Sequence, residues 1–383
     1  MIKFTLIRIG IICCLGIALC TSCTYSDEIQ NQNEFRTFLN ELPEKQIEKF
    51  YYVDVENDHV INPHSMVIDR WGQMIIVDHT VWNIHLFSED GKYRTTVGGE
   101  GRGPGEYSGI NFMSLSDDNS LYVLDKSLQR VTSYQVKKGN LELLDTFQLP
   151  NYMPLTMEYF YKSTSLGYIG IFRNFERVLN KEGMNDTFNL YNLDDNFNTE
   201  EIITEFPGNE TLKVDSFTDD NYFGITTNMQ FSPVEDAIFY SQTDELVYHG
   251  YFLNSNKEVS GQATDYPDYQ VTEFENEYIS ETKEFLFDMY PKIREDFESR
   301  NQLPYFSSMY ITNENIFWGV FYSGWDMLHI LGMNRQTEEL FTIKIPSVYD
   351  ESNGFVIFGA YENNVYGIEY SDIGSSIFIA ELE

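Results

Sequence analysis

Residues 65–107 set the rhythm of the chain. An apolar run at 65–69 leads into the polar turn Arg70, Trp71, Gly72, Gln73, and a second apolar run rich in β-branched residues follows at 74–78. Further runs at 83–88 and 92–97 are separated by Asp90 and Gly91, a dipeptide favoured in tight hairpins. Four short strands joined this closely predict one antiparallel sheet. Such a sheet has two apolar faces and cannot bury both alone, so the pattern implies further copies packed beside it.

The copies are present. At an offset of 47 residues Met66 matches Met113, Asp78 matches Asp125 and Phe87 matches Tyr134. Looser copies run through 167–174, 187–193 and 201–206; through 229–231, 237–241, 245–253 and 258–263; and through 307–312, 316–322, 327–333 and 339–345. After Gly354 only three runs remain, at 355–361, 364–370 and 375–382, while a lone run at 50–55 precedes the first unit. Three strands from one end and one from the other complete a sixth sheet and remove the open edges. The expected fold is therefore all-β, a six-bladed β-propeller whose N-terminal strand closes the last blade. The loose boundaries of the third and fourth copies also allow five or seven blades.

Between about 272 and 300 the period changes. Phe274, Tyr278, Phe285, Met289, Ile293 and Phe297 recur at helical spacing, Thr272 and Glu275 make a capping box, and Pro291 divides the segment. This is one helical insertion, expected to pack on a rim or to serve as a lid or partner-binding element.

Residues 1–22 read as a secretory leader, with Lys3 and Arg8 ahead of a short apolar run that is too brief for a membrane span. The sequence Leu19, Cys20, Thr21, Ser22, Cys23 resembles a bacterial lipoprotein box, with the usual leucine displaced to Leu19 by Cys20. That resemblance makes Cys23 the lipid-attachment residue, residues 23–45 a flexible tether and 46–383 the propeller. Partway along the tether, Asp27 and Glu28 resemble a signal for display on the outer face of the cell. The expected location is the outer membrane, on its periplasmic side or at the cell surface. The four cysteines all lie at or before Cys23, so the globular part contains no pair for a disulfide. Removing the leader takes the net charge from −35 to −37, which argues against nucleic acid as a partner.

The order of apolar strand, glycine turn, hydrophobic-Val-Asp and an aromatic before Asp90-Gly91-Lys92 resembles the NHL repeat. Residues 98–107, Gly-Gly-Glu-Gly-Arg-Gly-Pro-Gly-Glu-Tyr, resemble its glycine-rich linker. With the lipoprotein box, the chain is similar to the NHL/TolB-like propeller lipoproteins of gut Bacteroidota. The resemblance implies a fold and a location and almost no activity, although related NHL-type lyases use channel histidines with a metal.

Candidate chemistry is sparse. The glycine run lacks the spacing and the lysine of a phosphate loop and precedes a strand, which makes it a blade-to-blade crossing. Asp78 and Asp125 occupy equivalent strand ends and are expected to tie nearby backbone N–H groups. Asp194 to Asn198, and Asp219 to Asn221, read as hairpin tips in preference to calcium loops. Of the six histidines none forms a metal-binding pair in sequence; His64 stands out because it precedes the innermost strand of the first blade, near the channel. Trp71, Trp82 and Trp325 fall in turns and loops, where an aromatic can stack on a sugar ring or an apolar peptide side chain. With Arg102 these residues, His64, Trp71, Trp82 and Trp325, make the expected ligand-binding set. The expected function is a membrane-anchored binding module for a carbohydrate, a peptide or an envelope protein, with no catalytic residue assigned and no cofactor. The competing expectation is a hydrolase or lyase that uses a divalent metal at the central channel.

Overall fold

In a computed structural model of the chain the described residues are 33–53, 60, 62–174, 185–214, 217–220, 223–320, 327–346, 352–371 and 374–383. Helix α1 (Glu34–Glu41) and strand β1 (Ile47–Tyr52) come first. Blade one is β2 (Pro63–Ile68), β3 (Met74–Asp78), β4 (Asn83–Phe87) and β5 (Tyr93–Gly98), and blade two is β6 (Phe112–Leu115), β7 (Ser120–Asp125), β8 (Arg130–Lys137) and β9 (Asn140–Gln148). Blade three is β10 (Thr156–Ser163), β11 (Gly167–Asn174), β12 (Thr187–Leu193) and β13 (Thr199–Pro207). A hairpin of β14 (Thr211–Val214) and β15 (Phe217–Asp220) leads to blade four, made of β16 (Thr227–Ser232), β17 (Ala237–Gln242), β18 (Val247–Phe252) and β19 (Lys257–Gln262). Three helices follow, α2 (Glu273–Thr282), α3 (Glu284–Met289) and α4 (Pro291–Ser299). Blade five is β20 (Phe306–Ile311), β21 (Asn315–Val320), β22 (Met327–Asn334) and β23 (Leu340–Pro346), and the chain ends with β24 (Ser352–Tyr361), β25 (Asn364–Ser371) and β26 (Gly374–Leu382).

The sixth sheet has the order β1-β26-β25-β24, so the ring closes as expected, with six blades. Phe50 lies opposite Ala380, Tyr51 opposite Ile379 and Tyr52 opposite Phe378, and the Val53 N–H donates to the Ile377 carbonyl at 2.8 Å. The apolar core divides into six clusters, one at each junction between neighbouring blades. At the junction of blades one and two, for example, Ile75, Val77 and Leu86 meet Met113, Leu121 and Val123. Turns also interlock. The buried Asp69 carboxylate accepts from the N–H groups of Trp71 and Gln73, both at 2.9 Å, and from Asn119 Nδ2 in the next blade at 3.3 Å.

Three expectations need correction. Strand β10 is the innermost strand of blade three and was not foreseen, because Glu158 and Lys162 interrupt its apolar pattern. Both charges are ion-paired to blade two, Glu158 with Lys126 and Lys162 with Asp118. Asp219 and Asp220 lie in β15 and not at a hairpin tip, paired with Leu212 and Thr211; Asn221 lies outside the described residues. Finally, the expected tether is a docked helix from Asn33 onward, while Cys23 and the segment 24–32 lie outside the described residues.

Helix α1 is short and mostly polar, and eight residues alone are marginal as a helix in water. Its stability comes from its surroundings. The Asn33 side chain caps it, accepting from the Phe35 and Arg36 N–H groups at 3.0 and 3.2 Å. Phe35 packs against Tyr269 and Tyr305 with ring centroids 4.9 and 5.0 Å apart. Arg36 Nε donates to the fully buried Glu275 carboxylate at 2.7 Å and its Nη2 to the Tyr269 hydroxyl at 3.2 Å. Glu275 also accepts from the Thr272 N–H at 3.1 Å, so one carboxylate completes the expected capping box of α2 and anchors α1 to it. Pro291 begins α4 as expected, and a further break at Lys283 separates α2 from α3. The side chains of Phe274 and Tyr278 are outside the described set.

Two stability predictions follow from this docking. Glu275→Ala removes the carboxylate that faces the buried Arg36 guanidinium and is expected to lower unfolding stability by about 3–5 kcal/mol in urea titrations, whereas Lys49→Ala, at an exposed pair with Glu381, is expected to leave the urea midpoint nearly unchanged. Burial, with Arg36 and Lys344 nearby, pushes the His329 imidazole down to about 4. On acidification the unfolded chain takes up this proton first, so stability falls between about pH 6.5 and 4, by about 2–3 kcal/mol from this residue. His329→Gln should remove that part of the pH dependence, read as the difference in urea midpoint between pH 7 and 4.5.

Candidate functional site

Strand direction alternates across each blade, so the ring has two unlike faces. The blade-to-blade crossings and the loops from second to third strands lie on one, called here the crossing face. The turns from first to second strands lie on the other, the turn face. This sorts the expected binding residues. His64, Trp82 and Arg102 are on the crossing face, while Trp71, in the turn between β2 and β3, is on the turn face and cannot share a site with them. Trp71 is half-buried there under the Arg70 guanidinium, 4.8 Å from its ring centre. Trp325 lies outside the described residues.

On the crossing face the structure adds a residue that sequence reasoning passed over. Pro63 pairs with Asp78 across β2 and β3, and the His79 N–H donates to the Asn62 carbonyl at 2.9 Å. That register brings His64 and His79 together with ring centroids 4.9 Å apart, and His79 meets Trp82 edge to face at 4.4 Å. Three aromatic rings thus run in a row along the rim of blade one. Both histidines are exposed and Trp82 is half-exposed. Partial desolvation at the rim, with His79 beside it, holds the His64 imidazole below its ordinary range. The signal for His79 was its place just after Asp78, directly across a hairpin from His64.

Comparison with blade two marks this row as a departure from the repeat. At the same offset of 47, His64 becomes Asn111, His79 becomes Lys126 and Trp82 becomes Gln129. In blade two these positions do structural work: Asn111 Oδ1 accepts from the Lys126 N–H at 2.8 Å, and Lys126 is paired with Glu158. Trp82 and Gln129 both have positive φ, 54° and 50°, a conformation uncommon for a bulky residue. The backbone therefore keeps the repeat while the side chains do not.

The crossing loop that starts beside Trp82 behaves as expected for a blade linker. The Gly99 N–H donates to the Trp82 carbonyl at 3.1 Å, and a Cβ at Gly98, where φ is +92°, would come within 2.9 Å of that carbonyl oxygen. Glu106 folds its carboxylate back onto the Gly103 N–H at 2.7 Å, and the buried Arg130 guanidinium holds the carbonyls of Arg102 and Glu106 from below. The Arg102 side chain remains exposed on this face. Asp125 ties this loop to blade two by accepting from Ser108 N–H at 2.8 Å, Gly109 N–H at 3.3 Å and Leu128 N–H at 2.8 Å, and Asp78 accepts from the Thr80 N–H at 2.8 Å. Both aspartates are thus engaged with backbone. Asp194 likewise closes its hairpin, accepting from the N–H groups of Asn196 and Asn198, both at 2.8 Å.

Across the ring the same face carries longer connections. The connections from blade three to four and from four to five pack on each other: Phe223 meets Phe297 with centroids 4.8 Å apart, and Arg300 binds Glu210 at 2.6 Å and Asp296 at 2.7 Å. Among the described residues the crossing face therefore carries an aromatic row at blade one and a wall of helices and connections at blade four. Among the described residues no group of three or more His, Cys, Asp or Glu side chains is placed to hold a metal ion.

A family model described as a 6-bladed beta-propeller, DUF5128, matches residues 49–368. No curated protein sequence matches the chain. Among solved structures, a putative exported protein from Bacteroides fragilis is 13% identical, covering 88% of this chain and 94% of its own, with a TM-score of 0.53. A member of the duf4221 family from Bacteroides vulgatus is 10% identical over 90% of this chain and 99% of its own, at 0.46. Virginiamycin B lyase from Staphylococcus aureus is 10% identical over 87% and 98%, at 0.43. At such identities the likeness is one of fold alone, and it rests on the first of the three. The matched span and the closed ring of six sheets agree, and the chain belongs to the DUF5128 family of six-bladed β-propellers.

Proposed function

We propose that this protein is a lipid-anchored propeller of the bacterial envelope that binds an uncharged ring-bearing ligand, a sugar or an apolar peptide side chain, on its crossing face. The observation that carries the reading is the exposed row His64, His79, Trp82, where blade one abandons the residues its repeat uses for structure. Rings with solvent-facing edges and faces offer large contact area at low entropic cost, which suits stacking against a saccharide or an aliphatic group. A neutral ligand also suits a chain of net charge −35. The leader and Cys23 support export and acylation, and the fold relative described as a putative exported protein supports an envelope location.

Catalysis at the channel is the weaker reading. Among the described residues several ionisable groups of this face are engaged with each other or with backbone, as at Lys126 and Glu158, at Arg173 and Asp186, and at Asp125. A general acid or base has to be within reach of substrate and poised to exchange a proton.

The test is calorimetric titration of the mature protein with panels of neutral oligosaccharides and short peptides. For the ligand that binds, Trp82→Ala is expected to weaken affinity about tenfold, equivalent to about 1.4 kcal/mol, and Trp71→Ala on the opposite face to leave it unchanged. The reverse pattern, or turnover of the bound compound that stops on chelation of metal, contradicts the proposal.

A further inference from the structure

Two exposed apolar residues stand one helical turn apart in the insertion: Phe285, 77% exposed, and Met289, 49% exposed, both on α3. Lys283, Lys292 and Arg294 stand near them, among the acidic residues Glu281, Glu284, Asp288 and Glu295. The Arg294 guanidinium lies over the Phe287 ring at 5.2 Å, fixing one of these cations beside α3. An aromatic and a methionine flanked by lysine and arginine form the side-chain combination that settles at a lipid interface.

The path of the chain says where such an interface would be. Helix α1 lies in the outer groove between blades four and five, with Leu42 at its lower end against the cluster that includes Leu340 at the start of β23, on the turn face. Its first residue is at the opposite end. Asn33 Nδ2 donates to the Gln270 carbonyl at 2.9 Å, Gln270 bridges to Gln302, and the Tyr305 N–H donates to the Thr243 carbonyl at 2.7 Å. Gln302, Tyr305 and Thr243 adjoin the crossing-face ends of β20 and β17, so Asn33 lies at the crossing face, at the root of the insertion. Nine residues separate Cys23 from Asn33. However they are arranged, they span no more than about 35 Å.

We propose that the crossing face is turned toward the membrane that holds the anchor, and that α3 rests on the bilayer surface through Phe285 and Met289. The inference rests on acylation of Cys23, as read above. It places the aromatic rim and the channel mouth over the lipid surface, so a ligand would arrive from the membrane side. The occupant of the α3 patch is lipid headgroup and upper acyl chain, held by burial of the Phe285 and Met289 side chains.

The experiment uses the acylated protein on phosphatidylcholine vesicles that carry an acceptor dye on their headgroups. Acylation blocks the Cys23 thiol and the rest of the mature chain has no cysteine, so a donor can be placed at one site. Glu281→Cys reports from the insertion and Asp117→Cys from the turn between β6 and β7 on the turn face. Energy transfer is expected to be severalfold stronger from position 281 than from 117, and to drop at 281 when Phe285 and Met289 are both changed to serine. Equal transfer from both sites, stronger transfer from 117, or a signal at 281 that ignores the serine changes overturns the proposal; the last outcome assigns the patch to a protein partner. Flotation separates this from failure of the anchor. A chain that does not float with vesicles, and whose Cys23→Ala variant behaves identically, refutes acylation, whereas a floating chain with the wrong transfer pattern refutes only the orientation.

Discussion

Everything in this fold depends on a blade having an apolar partner on each side. A four-stranded sheet with both faces apolar is insoluble by itself, and the six core clusters sit at the junctions between blades, not inside them. Stability is therefore a property of the closed ring. Closure in turn rests on one hydrogen-bonded ladder, between β1 and β26, which joins the two ends of the propeller. Tyr51 extends that seam to the next blade, its hydroxyl donating to the Glu89 carbonyl at 3.0 Å.

One junction is built differently. Between blades four and five, the largest cluster includes residues of α1, of the helical insertion and of the connection that precedes blade four, gathered around Phe35, Phe223, Tyr269 and Trp318. Here the N-terminal helix α1, the wall of the crossing face and two blades share one core and the buried ion pair of Arg36 with Glu275. The geometry couples the N-terminal helix to the helical insertion on the crossing face. Such coupling costs stability wherever a charge is buried, and the paired, hydrogen-bonded arrangement of Glu275 offsets that cost.

Much of this was legible in the residues. The four short runs and their turns in 65–107, the repeat at 47 and the missing fourth strand at the C-terminus gave the blade, the ring and its closure, because a sheet with two apolar faces and open edges leaves few alternatives. Elements whose stability comes from distant partners were harder to read. Helix α1 has few apolar residues and needs Tyr269, Tyr305 and Glu275, more than 230 residues away, and β10 hides its strand pattern behind Glu158 and Lys162, whose partners are in another blade. The site followed the same rule. His64 was visible as a departure from the repeat, while His79 became part of the site only through hairpin register. Trp71, prominent in sequence, belongs to the opposite face because strand direction, not proximity in the chain, decides which loops meet.

The account makes the ring one cooperative body held by its seam, and Tyr51→Pro tests this most directly. The Val53 N–H points at β26, so by alternation the Tyr51 N–H does too, and proline there removes a ladder bond and opens the seam. Urea unfolding followed by both tryptophan fluorescence and far-ultraviolet circular dichroism is expected to remain a single coincident transition, shifted to lower urea by about 3 kcal/mol or more. A separate early transition that removes only the sixth blade, with the main transition unmoved, would contradict it.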